Sequence, residues 1–265
     1  MENAWESPIR RRLRESQPVF GCTITTTSVD AAARAATAGF HFLWLELEHS
    51  PLTLETVRNI VLATRNLPAV PFARVPITER WTAKRVLDAG VHGVVFPFVS
   101  TPELAQVAAE ACRYPPIGRR GAGESLAATC WPDTDGYCDS ADRNVVVAVI
   151  IEEADALARV DEIAATPGVD VVFVGTGDLS FSMGLRGQQD HPRVEAAAMD
   201  VLAAARRHGK VAGRPARSIE QTQRDIERGF LFFQAPSDLA LLEAGAQQFL
   251  SPHGIAPARR QRTLY

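Results

Sequence analysis

The chain has 265 residues, 46% of them hydrophobic. That length suits a single (β/α)8 barrel, and the composition excludes a disordered, collagen-like or disulfide-scaffold protein. Lys and Arg number 28 against 31 Asp and Glu, a net charge of −3 that offers no basic field to nucleic acid or to an anionic membrane.

The amino terminus carries Glu2, Glu6 and Arg10 to Arg12 with no apolar region behind them, unlike a secretory signal. In chain order, strands are predicted over 19–25, 42–47, 70–75, 93–99, 145–151, 170–175, 210–213 and 230–234. Most are apolar runs without alternation, as expected for parallel strands covered on both faces. The longest run, 145–151, is far too short to span a bilayer. Between the strands lie helices with readable ends. Thr53 caps one carrying Leu54, Val57 and Val61; Thr78 caps another that stops at Gly90; Thr101-Pro102 opens the next. Residues 190–208 end at Gly209, and 218–228 at Gly229.

About eight strand–helix units predict an α/β fold, a (β/α)8 barrel in a single domain over 1–265, with a doubly wound open sheet as the alternative. The first strand runs into Thr25-Thr26-Thr27-Ser28, without the Gly-rich turn of a dinucleotide fold. The long segment 113–144, with Trp131, Asp133 and Asp135, reads as a lid or site loop. The Pro- and Arg-rich stretch 251–265 reads as a surface tail or a subunit-contacting arm. Cys22, Cys112, Cys130 and Cys138 have no CxxC spacing and read as reduced thiols of a cytoplasmic protein.

In a barrel, chemistry sits where strands end. Strand two runs into Glu46-Leu47-Glu48-His49, strand three into Arg74-Val75-Pro76, strand five into Glu152, and strand six into Gly175-Thr176-Gly177-Asp178. Glu152 and Asp178 close consecutive strands, about 5 Å apart laterally. A carboxylate facing a barrel mouth is costly unless paired or bound to metal, so the pair suggests a hard divalent cation, while each could instead cap its following helix. Arg74 is a fork for a carboxylate or enolate oxygen, or the salt-bridge partner of Glu46 or Glu48. His49 is placed to transfer protons near neutral pH, or to pack its loop. Asp88, in the last turn before Gly90, opposes the helix dipole; it pairs with Arg85 or reaches another subunit. The only lysines, Lys84 and Lys210, are poorly placed for an imine.

These segments resemble the HpcH/HpaI aldolase family, metal-dependent pyruvate aldolases with a barrel of the phosphoenolpyruvate/pyruvate type. Glu46-Leu47-Glu48-His49-Ser50-Pro51 is similar to the family's D-G-E-H-A-P, Arg74-Val75-Pro76 to R-V-P, and residues 84–90 to K-R-x-L-D-x-G. Arg113-Tyr114-Pro115-Pro116 with Gly118 and Arg120-Gly121 resembles R-Y-P-P-x-G-x-R-G. Ile151-Glu152 matches I-E, and Gly175 with Asp178-Leu179-Ser180 matches G-P-x-D-L-S. The likeness runs from about residue 20 to about 245.

The resemblance implies Glu152 and Asp178 as ligands of Mg²⁺, Mn²⁺ or Co²⁺, and Arg74 on the keto and enolate oxygen. It implies His49 as acid/base paired with Asp88 of an adjacent subunit, and the N–H groups near Gly177 and Asp178 on the pyruvate carboxylate. It also implies a hexamer, a trimer of dimers. The chain departs from the family at Glu46 for Asp, Leu47 for Gly, Ile150 for the Gln before I-E, and Thr176 for Pro. The expected reaction is reversible cleavage of a 4-hydroxy-2-oxo acid to pyruvate and an aldehyde. The alternatives are a decarboxylase or CoA-thioester lyase of the citrate-lyase-like branch, with the 119–123 turn on the CoA phosphates, or a metal-binding barrel with weakened turnover. Residues 113–144 and 181–189 and those near Trp44 and Trp81 are expected to shape the aldehyde site, with Trp131 and Phe181 either leaving room for an apolar aldehyde or packing the lid.

Overall fold

The structure is a computed structural model that describes residues 5–132 and 136–256. Its strands are β1 (Val19–Ile24), β2 (Phe42–Glu46), β3 (Val70–Arg74), β4 (Gly93–Phe96), β5 (Val146–Ile151), β6 (Val171–Val174), β7 (Val211–Pro215) and β8 (Phe232–Ser237). All pair in parallel in sequence order, and β8 pairs back onto β1 to close the barrel. The expected barrel is therefore the observed one, and the open sheet is excluded.

Helices fill the returns. α1 (Pro8–Arg14) precedes β1; α2 (Val29–Thr37), α3 (Leu54–Thr64) and α4 (Arg80–Ala89) follow the first three strands. α5 (Pro102–Ala111), α6 (Ser125–Ala128) and α7 (Tyr137–Asn144) lie between β4 and β5. α8 (Ala154–Leu157) and α9 (Val160–Ala165) follow β5, α10 (Thr176–Ser182) and α11 (Pro192–Arg207) follow β6, and α12 (Ile219–Arg228) and α13 (Asp238–Leu250) complete the set.

Two buried layers follow from strand periodicity. Phe42, Trp44, Phe72, Val95, Val146, Ala148, Ile150, Val171, Phe173 and Phe232 point inward and fill the barrel. The alternate residues, among them Leu43, Leu45, Ala73, Val147, Val149 and Val172, pack against the helices. Gly93 makes room inside: a Cβ there would stand 2.4 Å from the Phe72 ring. Ile9 of α1, fully buried, joins the inner cluster with Leu13 packed beside it, so α1 plugs the amino-terminal end.

Several sequence expectations shift. Thr78 does not cap α4: its hydroxyl donates to the Pro97 carbonyl at 2.6 Å, and the cap position falls on Glu79. α11 starts at Pro192, with His191 Nδ1 accepting from the Arg193 N–H. β8 starts at Phe232, because the Phe230 N–H still bonds to the Asp225 carbonyl of the preceding helix. Thr53 and Thr101 cap as expected, Ser218 caps α12 by accepting from the Gln221 N–H, and Gly90 and Gly229 end their helices with positive φ.

The largest correction concerns residues 113–144. They connect the end of α5 to the start of β5, and so lie at the amino-terminal end of the barrel, away from the mouth. Trp131 stacks on His92 there, with ring centroids 4.3 Å apart, and meets Trp5 edge-on. It does not line an aldehyde site. Trp44 itself is sealed inside the barrel. Asp133 and Asp135, and residues 257–265 of the expected tail, lie outside the described residues. Among the described residues no helix is long and apolar enough to cross a membrane.

Candidate functional site

The same two-residue period that fills the barrel sets its mouth. Glu46 lies one inward step above Trp44, Arg74 above Phe72, and Glu152 above Ile150. Packing inside a barrel is apolar until the strands run out, and the last inward layer is the first that can meet substrate.

Glu46 and Arg74 are register partners on β2 and β3. Arg74 Nε donates to Glu46 Oε2 at 2.7 Å, and its Nη1 lies 3.0 Å from Glu48 Oε2. Arg74 is thus bracketed by both glutamates, the salt-bridge alternative left open by the sequence. Glu46 does more than pair: Trp44 Nε1 donates to Oε2 at 3.1 Å, while the N–H groups of Glu48 and His49 donate to Oε1 at 2.8 and 3.1 Å. One carboxylate therefore fixes the turn that presents His49. Ser50 adds a hydrogen bond from its hydroxyl to the Glu46 carbonyl. His49 is partly exposed, with Nε2 3.7 Å from Glu48 Oε2. Burial raises the Glu48 pKa above the usual carboxylate range, against the pull of Arg74 and His49.

Glu152 follows β5 and is almost fully buried. Burial pushes its pKa up to about 8. The Phe98 N–H and Arg74 oppose that rise, and the charges of Glu48 and Asp178 add to it. The Phe98 N–H donates to Glu152 Oε1 at 2.7 Å, aimed by a backbone that turns left-handed at Phe98 with φ 51°. Gly175, at the end of β6, leaves the space this carboxylate occupies: a Cβ there would stand 2.7 Å from Glu152 Oε2. Asp178 lies in the first turn of α10. Glu48, Glu152 and Asp178 therefore share one field at the mouth with Arg74. Ile150, beside the Gly175 position, forms an apolar floor under it.

The sequence-predicted residues His49, Arg74, Glu152, Gly177 and Asp178 all lie at the carboxyl ends of strands or directly after them. Asp88 does not. It lies in the last turn of α4, which returns to the start of β4, at the far end of the barrel from His49. Its partner is Arg120 at 3.4 Å, not Arg85, and the Arg120 side chain is fully buried between the Tyr114 and Tyr137 rings. The lysines stay away from the mouth: Lys84 is on α4, and Lys210 Nζ donates to the Val169 carbonyl at the start of the strands. Sequence reasoning read Glu46 and Glu48 only as possible salt-bridge partners of Arg74 and missed the hold of Glu46 on the turn before His49. Phe98 was not singled out, and its left-handed turn has no sequence signal.

Residues 20–244 match the family model described as HpcH/HpaI aldolase/citrate lyase. A hydroxypyruvate/pyruvate aldolase of Roseobacter denitrificans is 34% identical over 234 residues, covering 88% of this chain and 91% of the relative. A 5-keto-4-deoxy-D-glucarate aldolase of Salmonella arizonae is 34% identical over 249 residues, 94% of this chain and 97% of the relative. Among solved structures, an HpcH/HpaI aldolase/citrate lyase family protein from Burkholderia cenocepacia superposes with TM-score 0.86 at 32% identity. That match covers 94% of this chain and all of the other.

Proposed function

The chain belongs to the HpcH/HpaI aldolase/citrate lyase family, and from that premise we propose a divalent-metal-dependent aldolase that reversibly cleaves a 4-hydroxy-2-oxo acid to pyruvate and an aldehyde. One observation carries the metal assignment. Among the described residues, the buried Glu152 carboxyl accepts a single hydrogen bond, has no cation in hydrogen-bond contact, and faces two further carboxylates. Such a group stays protonated or meets a cation. The donor set is all oxygen, which suits Mg²⁺, Mn²⁺ or Co²⁺. No group of three His, Cys, Asp or Glu among the described residues could hold an ion alone. Glu152 and Asp178 as the two protein ligands leave the other positions to substrate oxygens and water.

When bound, the ion would supply Lewis-acid charge to the oxo acid, stabilising the enolate left when the C3–C4 bond breaks. Arg74, held at Nε and Nη1 by the two glutamates, keeps Nη2 as the donor for the keto oxygen. His49, oriented through its backbone by Glu46, takes the proton of the C4 hydroxyl. The N–H groups of Gly177 and Asp178 receive the pyruvate carboxylate. Trp81, Phe98 and Phe181, all exposed near the mouth, border the aldehyde side.

Asp88 could reach His49 only from a neighbouring copy, so the dyad belongs to a homo-oligomer, a hexamer in the family's usual assembly. The surface supports association: α13 buries no side chain, and Leu239, Leu242 and Phe249 are exposed on it. The CoA-thioester reading is less well supported: Arg120 is fully buried on Asp88, which leaves only Arg119, in a surface pair with Glu110 at 3.0 Å, at the turn expected to take the phosphates.

Deuterium exchange at the pyruvate methyl group tests the reading. Exchange is expected with Mg²⁺ or Mn²⁺, lost with EDTA, and retained when Lys84 and Lys210 are both replaced by Ala. Exchange indifferent to EDTA and lost in Lys210→Ala would overturn it. A metal-loaded protein that exchanges nothing would leave only a binding barrel.

A further inference from the structure

Thr176 stands where the family has proline, and it is 1% exposed. Its hydroxyl donates to Gln189 Oε1 at 3.1 Å. In this arrangement the amide oxygen turns to Thr176 and Nε2 turns toward Gly177, 3.8 Å from where a Cβ would stand. A hydroxyl can serve either end of an amide, so the choice rests on what the other end faces. Gly177 has no side chain to intervene, and the next residue is Asp178. With Glu48, Glu152 and Asp178 already in the field of the mouth, the donor end of an amide is the end favoured on this side.

Gln189 is held in place rather than left to swing. The segment after α10 folds back onto that helix: the Leu185 N–H donates to the Ser180 carbonyl at 2.8 Å, and the Gly187 N–H to Ser180 Oγ at 3.0 Å. Ser180 Oγ itself donates to the Gly177 carbonyl at 2.6 Å. The Gln189 N–H closes a turn on the Gly187 carbonyl at 2.9 Å. The neighbouring Asp190 is gripped by Arg217 through two bonds of 2.6 and 3.0 Å, which pins the segment to the loop after β7. A half-buried amide fixed on both sides and turned donor-first toward an anion-binding turn is prepared for a carboxylate before any substrate arrives.

We infer that Gln189 is a specificity-determining residue whose Nε2 donates to the carboxylate of the 2-oxo acid, and that Thr176 is the positioning residue that anchors the far end of the amide. This deepens the aldolase reading and rests on its placement of the substrate carboxylate beside Gly177. It also gives the departure from proline a purpose. A proline at 176 has no hydroxyl to anchor the amide, so the Gln189 contact belongs to this chain's version of the site.

The test measures pyruvate KM and kcat in the methyl-exchange reaction for Gln189→Leu, Gln189→Glu and Thr176→Val. The Mn²⁺ dissociation constant (by electron paramagnetic resonance) and the thermal midpoint are followed beside them. Gln189→Leu is expected to raise KM about tenfold, the size of one lost hydrogen bond to a charged group, with the loss on KM rather than kcat. Gln189→Glu keeps the shape but faces the substrate with a negative charge, and is expected to raise KM further. Thr176→Val should fall between wild type and Gln189→Leu. An unchanged KM in Gln189→Glu overturns the inference. So does a drop in thermal midpoint or Mn²⁺ affinity that accounts for the whole loss. A wild-type protein that exchanges nothing overturns the aldolase reading and this inference with it, whereas wild-type exchange with unaltered variants overturns this inference alone.

Discussion

The carboxylate of Glu46 and the guanidinium of Arg74 meet at 2.7 Å across register-paired strand ends, and the same carboxylate ties down the backbone of Glu48 and His49. The electrostatic donor and the proton-transfer group of the proposed reaction are thus oriented by one side chain. Glu46→Gln keeps the shape and removes the charge. It leaves the buried Arg74 with Glu48 alone, so a loss of about 1–3 kcal/mol in stability is expected, with kcat/KM down at least about tenfold. Urea unfolding and steady-state kinetics check the two effects. A variant with wild-type kcat/KM would show that Arg74 and His49 need no such support.

Glu152→Gln separates metal binding from folding. Mn²⁺ affinity is expected to fall by about a hundredfold or more, since an amide is a poor substitute for a carboxylate ligand. The metal-free protein should move the other way. In the fold Glu152 ionises only near pH 8, and in the unfolded chain near 4.5. The wild type is therefore penalised increasingly as pH rises through that interval, and Gln is not. At pH 9 without metal, the variant should melt above the wild type. A lower midpoint would mean that the carboxylate is held by something other than a cation.

His92 makes the opposite pH prediction at the other end of the barrel. Burial against Trp131 lowers its pKa from 6.5 to about 3. The unfolded chain takes up the proton first, so its contribution to stability is complete above pH 6.5 and is lost as pH falls toward 3. His92→Phe keeps the stacked ring without the titration. Its stability should decline less with acid, by on the order of a few kcal/mol across that window. Identical acid profiles for the two proteins would refute the assignment.

The plug formed by α1 gives a control far from the chemistry. Ile9→Ala opens a cavity in the inner cluster and is expected to cost about 2–4 kcal/mol in stability. The KM for pyruvate should not move, because the site lies at the opposite end. A change in KM at full occupancy of the folded state would mean that the two ends are coupled.

Much of this molecule is legible along the chain. Parallel strands buried on both faces are continuous apolar runs, and their carboxyl ends are the positions where an unbroken run turns abruptly to Glu152 or Arg74. Helix ends at Thr53, Gly90 and Ser218 are written in residues whose local backbone chemistry allows little else. Elements held by distant contacts were harder to read. α1 carries three consecutive arginines and forms a helix because Ile9 and Leu13 find the base of the barrel. Residues 113–144 look like a lid until the topology places them between the end of a helix and the start of a strand.

The order of elements, the closure into a barrel and the identity of the charged groups at the mouth follow from the sequence, because hydrophobic period and strand-end chemistry are local properties. Tertiary structure alone decided that both glutamates grip Arg74, that Gln189 comes to rest against Thr176 and Gly177, and that Asp88 and His49 stand at opposite ends of the barrel. Each of those depends on where side chains from remote segments come to rest. Hydrogen bonds and ion pairs act over a few ångströms, whereas Glu46 and Arg74 are 28 positions apart, Thr176 and Gln189 13, and Asp88 and its partner Arg120 32.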